Sequence, residues 1–448
     1  MHLLTRSRKV RGWTPPEFAR QLREHSALRG SPLGTGPDGV YRWEAGREPD
    51  RTTQQFIAEL LGIASDILKQ HPWPGWLAMD PLVRPYPHSW NASGAIQALV
   101  EVTGREDITM DSINRRTFVH LTGGALTTSL WSWLTADPAA AGQITHGRRL
   151  GEAAVTHIEE RVRQLRREDD IDGGGQLLTE TALSLRMTVR LLKDRNCTNE
   201  HGARLLAAAA DFARMHAWAT FDVHDTCADG TFDAALRSAH AASDPLLGSH
   251  ILAFWSIAAH NSGRPADAEA MTAAALSAAR GRTTPRVEAM LLSRRARTRA
   301  HQNNPACFAD LDRAAELLAT STGHDDPPWI YWFDKSELLG ALASTHLDMN
   351  RPDRAEETFT EAAALFPADR VRTRALFLTR RADAQCRQGE LEKACATAAQ
   401  ALDLTEEISS YRAAGPLHEL AVRMQPHESV PSVRDFRERV ATLTKTSS

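Results

Sequence analysis

The chain has 448 residues, which is too long for one ordinary hydrophobic core and predicts two or three domains. Its formal net charge of −3 excludes a protein that coats nucleic acid along its whole length. The charge is uneven, because residues 1–69 carry 11 Lys and Arg against 8 Asp and Glu. A positive field is therefore expected at the N-terminal end.

The first sixty residues have the pattern of several short amphipathic helices. Thr14 is a predicted N-cap, since prolines follow it at the first helical positions and Glu17 offers a carboxylate three residues on. Val40 and Trp43 put an apolar stripe on a short later helix, which a glycine ends. From Thr52 the apolar residues again recur at helical spacing, so this segment is predicted to be a small helical domain.

Two segments that follow are predicted to be connectors. Residues 71–91 contain five prolines and three tryptophans, which exclude a regular helix and favour a linker packed against a domain. Residues 114–134 combine a twin-arginine pattern with an uncharged run and so imitate an export signal. More than a hundred residues precede this run, which favours a buried connector. The alternative, an exported binding protein, would show itself by N-terminal processing near residue 135.

From about residue 176 onward the pattern is almost wholly helical, and several segments align at one turn. In each, a Gly or Asn ends one helix, and an Ala five residues later packs against the next. The aligned segments are residues 229–235, 262–268, 349–355 and 388–394, with a weaker copy at 303–315. The turns recur every 33 to 47 residues, which predicts stacked helix pairs with lengthened loops. A helix pair in residues 148–216 is expected to begin this array, and residues 416–443 are expected to close it.

Several kinds of chemistry are missing from the sequence. Five cysteines show no paired spacing and are typical of free thiols in a reducing cytoplasm. No apolar run has transmembrane length and no signal-peptide pattern begins the chain, so a cytoplasmic protein is expected. His224 and Asp225 form a pair of the kind found in metal-dependent phosphohydrolases, but without companion ligands a chance pairing is favoured. No common catalytic motif is present, and we expect neither an enzyme nor a protein with a metal or cofactor.

Two resemblances to known families follow from these patterns. The N-terminal motifs resemble the Xre family of phage-repressor-like helix-turn-helix domains. The residues that carry this resemblance are Arg11-Gly12-Trp13-Thr14, Phe18-Ala19-Arg20-x-Leu22 and Tyr41-Arg42-Trp43-Glu44-x-Gly46-Arg47. The aligned turns resemble the tetratricopeptide repeat, a helix-turn-helix unit of about 34 residues. Arginine is preferred to lysine throughout, and the whole layout resembles regulators of filamentous actinobacteria.

The resemblances imply an all-α protein with three parts. Residues 1–70 would be an Xre-like helix-turn-helix DNA-binding domain, and residues 71–147 a Pro- and Trp-rich linker with connector helices. Residues 148–448 would form a tetratricopeptide-like α-solenoid. The implied function is that of a cytoplasmic transcriptional regulator, a homodimer held mainly by its repeat domain. A repeat-based adaptor with a degenerate N-terminal domain, acting through protein contacts, is the alternative.

In the Xre-like frame, Arg42 lies on the exposed face of the third helix. Its guanidinium could read guanine in double-stranded DNA or, alternatively, contact a phosphate. The other implied DNA contacts are phosphate anchors, each of which could instead be a solvated surface charge. These anchors are Arg8, Lys9, Arg11, Arg47 and Arg51. Trp43 and Glu44 are predicted to be structural, the indole packing in the core and the carboxylate tethering the helix.

The N-terminal segment also departs from the Xre pattern. Pro37 and Asp38 stand where family members offer polar side chains to base edges, and Pro15 replaces a residue that commonly touches the DNA backbone. The connection over residues 24–37 is long and rich in Gly and Pro. We therefore expect DNA shape or the loop itself to carry specificity, with low affinity per monomer.

The repeats imply a groove lined by the first helix of each unit. Counting back from the shared turns puts polar residues at equivalent inner positions on an Ala-rich lining. These candidate ligand-binding residues are His224, His260, Asn261, Arg297, Ser344 and Asp383. Such a lining suits hydrogen bonds to an extended peptide or protein segment, and an Asn amide can donate and accept at once. The alternative is that these side chains only solvate an empty groove or cap turns in it.

Overall fold

The structure is a computed structural model, and its regular elements are helices. It describes residues 3–11, 13–61, 63, 68, 72–79, 88–104, 123–136, 150–172, 174–194, 197–367, 370–406, 408 and 410–443. No strand occurs in these residues, so the all-α prediction is confirmed for them. The chain divides into two compact units, residues 1–87 with 119–129 and residues 88–118 with 130–448. The expected connector, residues 71–147, is shared between these two units.

Over the described residues between 3 and 79, the first unit has four α-helices and a short 3₁₀ helix. They are α1 (Leu3–Val10), α2 (Pro15–Leu28), α3 (Pro37–Glu44), α4 (Arg51–Leu61) and the 3₁₀ helix Gly75–Met79. The predicted cap of α2 is confirmed, since Thr14 Oγ1 accepts a hydrogen bond from the Glu17 backbone N–H at 3.4 Å. The Glu17 carboxylate in turn accepts one from the Thr14 backbone N–H at 2.7 Å, which completes a capping box.

All four α-helices of the first unit contribute to one hydrophobic core. Its large buried side chains are Leu4, Phe18, Leu22, Val40, Trp43, Phe56, Ile57, Leu61, Trp76 and Leu77. Trp76 comes from the predicted Pro- and Trp-rich linker, and its indole N–H donates to Gln54 Oε1 at 3.0 Å. The first unit therefore extends beyond residue 70, because this part of the linker supplies core side chains.

The second unit is an array of helices packed in consecutive pairs. The first helices of this part of the chain are α5 (Ala92–Gly104), α6 (Gly123–Thr135, divided between the units), α7 (Glu152–Asp172), α8 (Gly174–Asp194) and α9 (Asn199–His224). They are followed by α10 (Asp229–Ala241), α11 (Pro245–Asn261), α12 (Pro265–Ala279), α13 (Pro285–His301), α14 (Ala306–Thr320) and α15 (Lys335–Asp348). The last are α16 (Pro352–Leu365), α17 (Val371–Arg387), α18 (Leu391–Glu406), α19 (Tyr411–Met424) and α20 (Pro431–Leu443).

The turns between paired helices lie where the sequence predicts them, with one exception. Gly263, Asn303, Asn350 and Gly389 each follow a helix end by two residues and adopt positive φ values between 53° and 82°. Gly and Asn take this left-handed conformation at the least steric cost, so they end helices well. At the first turn, Asp225 has the positive φ instead, and the predicted helix-ending glycine lies inside α10.

Helix α5 belongs to the second unit, in a region predicted to be linker. It packs against α8 and α10. Just before α5, the Arg237 guanidinium stacks over the Trp90 ring, with its central carbon 4.2 Å from the ring centroid. Arg237 also donates a hydrogen bond to the His88 backbone oxygen at 2.5 Å. This buried arginine of α10 therefore holds the segment that precedes α5 against the array.

The two ends of the array contact each other. Arg372, on α17, forms ion pairs with Asp169 of α7 at 2.9 Å and with Asp222 of α9 at 3.4 Å. Ser410, just before α19, donates a hydrogen bond to Asp222 Oδ1 at 2.8 Å. These groups are buried, and the segments they join are 150 residues or more apart in sequence. Helices α7 and α9 are therefore joined to the part of the array formed by α17 and α19.

Candidate ligand cavity and candidate DNA-binding surface

The concave side of the second unit contains a cavity of about 1290 Å³. Its wall is built mainly by the first helix of each pair, α9, α11, α13, α15 and α17, together with α7 and α19. Five of the six predicted ligand-binding residues line it. They are His224, His260, Asn261, Arg297 and Ser344.

The sixth predicted ligand residue, Asp383, is not among the lining residues. Its carboxylate instead forms ion pairs with Arg387 and Arg423, both at 2.8 Å. Asp383 follows the cavity residue Arg380 by three positions on α17, but its carboxylate is engaged by Arg423 of α19 and by Arg387 of its own helix. The assignment of Asp383 to the ligand site stays a prediction.

One end of the cavity is organised around the carboxylate of Asp348. Asp348 forms ion pairs with Arg297, with Arg380 at 3.6 Å and with His301 Nε2 at 2.9 Å. Burial lowers the pKa of Arg297 to about 10, although the negative charge of Asp348 opposes this. Arg297 thus reaches the cavity as one member of an internal ion-pair network, and much of its charge is already balanced.

His260 lies beside this network and is neutral near pH 7. Burial, together with the neighbouring His301, lowers the pKa of its imidazole to about 3. The two histidine rings meet at 90° with their centroids 3.8 Å apart. Asn261, one residue on, donates from its side-chain amide to the Ile257 backbone oxygen at 2.7 Å, which leaves its amide oxygen as an acceptor.

Another part of the wall is aromatic and basic. Phe254 makes edge contacts with Trp218, His250 and Trp332, at centroid distances of 4.8, 5.0 and 6.0 Å. The Arg214 guanidinium lies 4.6 Å above the Phe254 ring. These aromatic residues form what we call the aromatic cluster, Trp218, His250, Phe254, Trp329 and Trp332, all of which line the cavity.

Asp211 balances two of the arginines at this end. Its carboxylate is 1 % exposed and forms ion pairs with Arg166 and with Arg214, the latter at 2.9 Å. Burial raises the pKa of Asp211, but the charges of Arg166 and Arg214 outweigh burial and hold that pKa well below its ordinary value. Asp211 therefore stays ionised and anchors the guanidinium of Arg214 beside the cavity.

The sequence prediction missed the aromatic cluster and the arginines that border it. A signal was present, because His250, Phe254, Ile257 and Asn261 recur at the spacing of one helical face. Only the later part of this face was assigned to the groove. The partners on other helices could not be inferred, since their proximity depends on how the pairs stack.

Within the part of the chain that the structure describes, no group of three or more His, Cys, Asp or Glu is arranged to hold a metal ion. Nor does any described helix have both the length and the apolar composition needed to cross a membrane. His224 is exposed at the end of α9, and partial desolvation, together with the charge of His216, lowers its pKa.

In the first unit, three of the predicted DNA contacts are exposed side chains. Arg42 is exposed near the end of α3, and its Nε donates to the Asp38 backbone oxygen at 3.2 Å. Arg47 is exposed in the turn that follows, and Arg51 is exposed at the start of α4. The predicted anchor Lys9 lies on α1, but its side chain is outside the described residues.

The other two predicted phosphate anchors are engaged within the first unit. Arg8 is 7 % exposed and forms a bidentate pair with Glu44, with N–O distances of 2.7 and 3.1 Å. It also donates to the Trp13 backbone oxygen at 2.8 Å. Arg11 donates to the backbone oxygens of Ser7 and Leu61 at 2.8 and 2.9 Å. The hydrogen-bonding groups of the Arg8 guanidinium are mostly occupied and have little capacity left for a phosphate. The tether predicted for Glu44 is its ion pair with Arg8.

The comparison with known families matches only the first unit. Residues 4–65 match the family model of the SP15 N-terminal domain. This match covers α1 to α4 and none of the cavity-bearing array. No curated protein matches the chain.

Proposed function

We propose that this protein is a DNA-binding transcriptional regulator. Its first unit would be a helix-turn-helix domain of Xre type, and its second a tetratricopeptide-like effector and dimerisation domain. The observation that supports this best is the row of exposed arginines Arg42, Arg47 and Arg51, at the end of α3 and the start of α4. Exposed guanidinium groups on a small helical domain suit contacts to phosphates and to guanine edges.

The packing around α3 agrees with this proposal. Trp43 is buried in the core and Glu44 is held by Arg8, so the inner face of α3 is occupied. Arg42 and Tyr41 occupy the outer face and are exposed. A helix that is fixed on one side and exposes a guanidinium on the other is suited to presenting that group to a groove.

The function is tested first by finding a DNA site and then by changing Arg42. Genome-wide mapping of DNA bound by the tagged protein would supply the site. We expect Arg42→Ala to weaken binding to that site by about 1–3 kcal/mol and to relax the preference at one base pair, as for a guanine-reading arginine. A competitive mobility-shift assay at moderate salt measures both quantities.

Arg313→Ala is the matched control, because Arg313 is an exposed arginine of the second unit and should leave DNA binding unchanged. Equal losses on specific and random DNA would assign Arg42 to a phosphate. If the wild-type protein selects no DNA at all, the regulator proposal fails.

The adaptor function remains the second proposal, and one feature of α3 favours it. Pro37 and the acidic Asp38 form the first turn of α3, and both are exposed. A carboxylate at that position would be repelled by DNA phosphates. An adaptor would bind protein partners through the array and show no competition by specific DNA in the same mobility-shift assay.

We propose further that the regulator acts as a homodimer held by the second unit. A single small domain with few polar reading residues cannot select a genomic site, whereas two half-sites can. Light scattering on the full chain should therefore give about twice the monomer mass of 49.4 kDa. A strict monomer at high concentration would contradict the dimer proposal.

A further inference from the structure

Two arginines that line the cavity form no ion pair with an acidic side chain in the described residues. Arg294 lies on α13 and Arg412 on α19, and both line the cavity wall. Within the described part of the chain, neither guanidinium takes part in a hydrogen bond or an ion pair. The other cavity arginines, Arg166, Arg214, Arg297, Arg370, Arg372 and Arg380, each form an ion pair with Asp or Glu. Arg294 and Arg412 therefore differ from the other cavity arginines in that no ion pair balances their charge.

Both unpaired arginines border the aromatic cluster. The Arg294 guanidinium lies 5.2 Å from the centre of the Trp332 ring, and that of Arg412 lies 4.5 Å from Trp218. Each of these tryptophans contacts Phe254. A ring face holds a guanidinium flat and attracts it weakly, but it does not neutralise the charge.

The two cations also act on each other. Burial lowers the pKa of Arg412 to about 10, and the positive charges of Arg372 and Arg294 contribute to this shift, while the negative charges of Asp222 and Asp169 oppose it. Burial likewise lowers the pKa of Arg294, although Glu337 opposes it. Both groups remain protonated near pH 7, so the cavity holds two like charges that repel each other. An anion placed between them would relieve the repulsion.

A third unpartnered polar group lies in the same cluster. His250 is 1 % exposed, and in the described residues neither of its ring nitrogens has a hydrogen-bond partner. Its ring stacks on Trp329 with the centroids 4.1 Å apart. Burial lowers the pKa of His250 well below its ordinary value, so the imidazole is neutral and offers one donor and one acceptor.

We propose that Arg294 and Arg412 together bind an oxyanion, a carboxylate or phosphate group of a small organic ligand, beside the aromatic cluster. His250 provides a neutral N–H donor at the same place. The cavity of about 1290 Å³ has room for much more than an inorganic ion, and the joined ends of the array suit a small molecule. This inference specifies the ligand class of the proposed effector domain and rests on that proposed function.

The test measures binding to the full chain without DNA, so its outcome is independent of whether the protein is a regulator. The probes are millimolar citrate, as a polycarboxylate, and pyrophosphate, each against sodium chloride at equal ionic strength. We expect at least one probe to raise the thermal unfolding midpoint of the wild type by about 2 °C or more. A response to citrate alone identifies carboxylate, and a response to pyrophosphate alone identifies phosphate. If neither probe has an effect, the proposal is overturned.

Variants locate the site. Arg294→Gln and Arg412→Gln should each reduce the affinity for the responding probe at least tenfold by calorimetry, while Arg434→Gln, an exposed arginine on α20, should leave it unchanged. Without probe, both cavity variants should unfold near the wild-type midpoint, because no ion pair is lost. Arg412→Lys keeps the positive charge and should keep part of the thermal shift caused by the probe. This result would show that the loss in Arg412→Gln comes from the missing charge and not from a folding defect. A response that persists equally in all variants is a general salt effect and overturns the proposal.

Discussion

Asp211→Ala should lower the free energy of unfolding of the second unit by about 3–5 kcal/mol. The substitution leaves the charges of Arg166 and Arg214 buried without their shared partner, and the cost of burying a charge then has no compensation. Equilibrium urea denaturation of the full chain, followed by tryptophan fluorescence, measures the loss. The aromatic cluster provides the signal, since Trp218 and Trp332 lie in this part of the array.

Asp403→Ala is the matched control for this prediction. Asp403 also forms an ion pair with an arginine, Arg439 at 2.8 Å, but its side chain is 66 % exposed. Exposed pairs contribute at most about 1 kcal/mol, so the control should change stability little. Similar losses for both variants would contradict the idea that burial makes the Asp211 network important.

The contribution of Asp211 to the free energy of unfolding should also depend on pH, and it should decrease as the pH falls. Its pKa is lowered in the folded state, so its stabilising contribution is complete above the ordinary carboxyl pKa of about 4. The contribution is lost as the pH falls through the lower pKa of the folded state. The difference in stability between wild type and Asp211→Ala should therefore be constant from pH 7 to pH 5 and shrink at strongly acidic pH.

Arg8→Ala should destabilise the first unit by about 3 kcal/mol, near the lower end of the range for a broken buried pair. The pair is nearly buried, with side-chain exposures of 9 % for Arg8 and 12 % for Glu44, and it joins α1 to α3. Removing the guanidinium leaves the Glu44 carboxylate without its bidentate partner. Urea denaturation of the full chain, read from the fluorescence of the first unit's tryptophans, checks the size of the loss.

Arg47→Ala is the control, because Arg47 is exposed and should leave stability unchanged. A phosphate anchor would behave in the opposite way. If Arg8→Ala leaves folding intact and only reduces the salt dependence of DNA binding by about one charge, the sequence-based assignment of Arg8 is right and the structural role is wrong.

The local features of this fold could be predicted because neighbouring residues determine them. The capping box at Thr14 and the helix ends before Asn350 and Gly389 depend on side chains within a few positions of each other. The inner-face positions of His260 and Arg297 follow from helical periodicity counted from those turns. These parts of the prediction needed no knowledge of how the pairs stack.

The sequence by itself therefore determined the helical fold of the described residues, its paired helices and five of the polar positions that line the cavity. Only the tertiary structure decided which charges are balanced. Arg297 pairs with Asp348 and Arg372 with Asp169, residues 51 and 203 positions apart, whereas Arg294 and Arg412 form no ion pair in the described residues. The physical reason is that a buried charge is compensated by its neighbours in space, and stacking of successive helix pairs sets those neighbours.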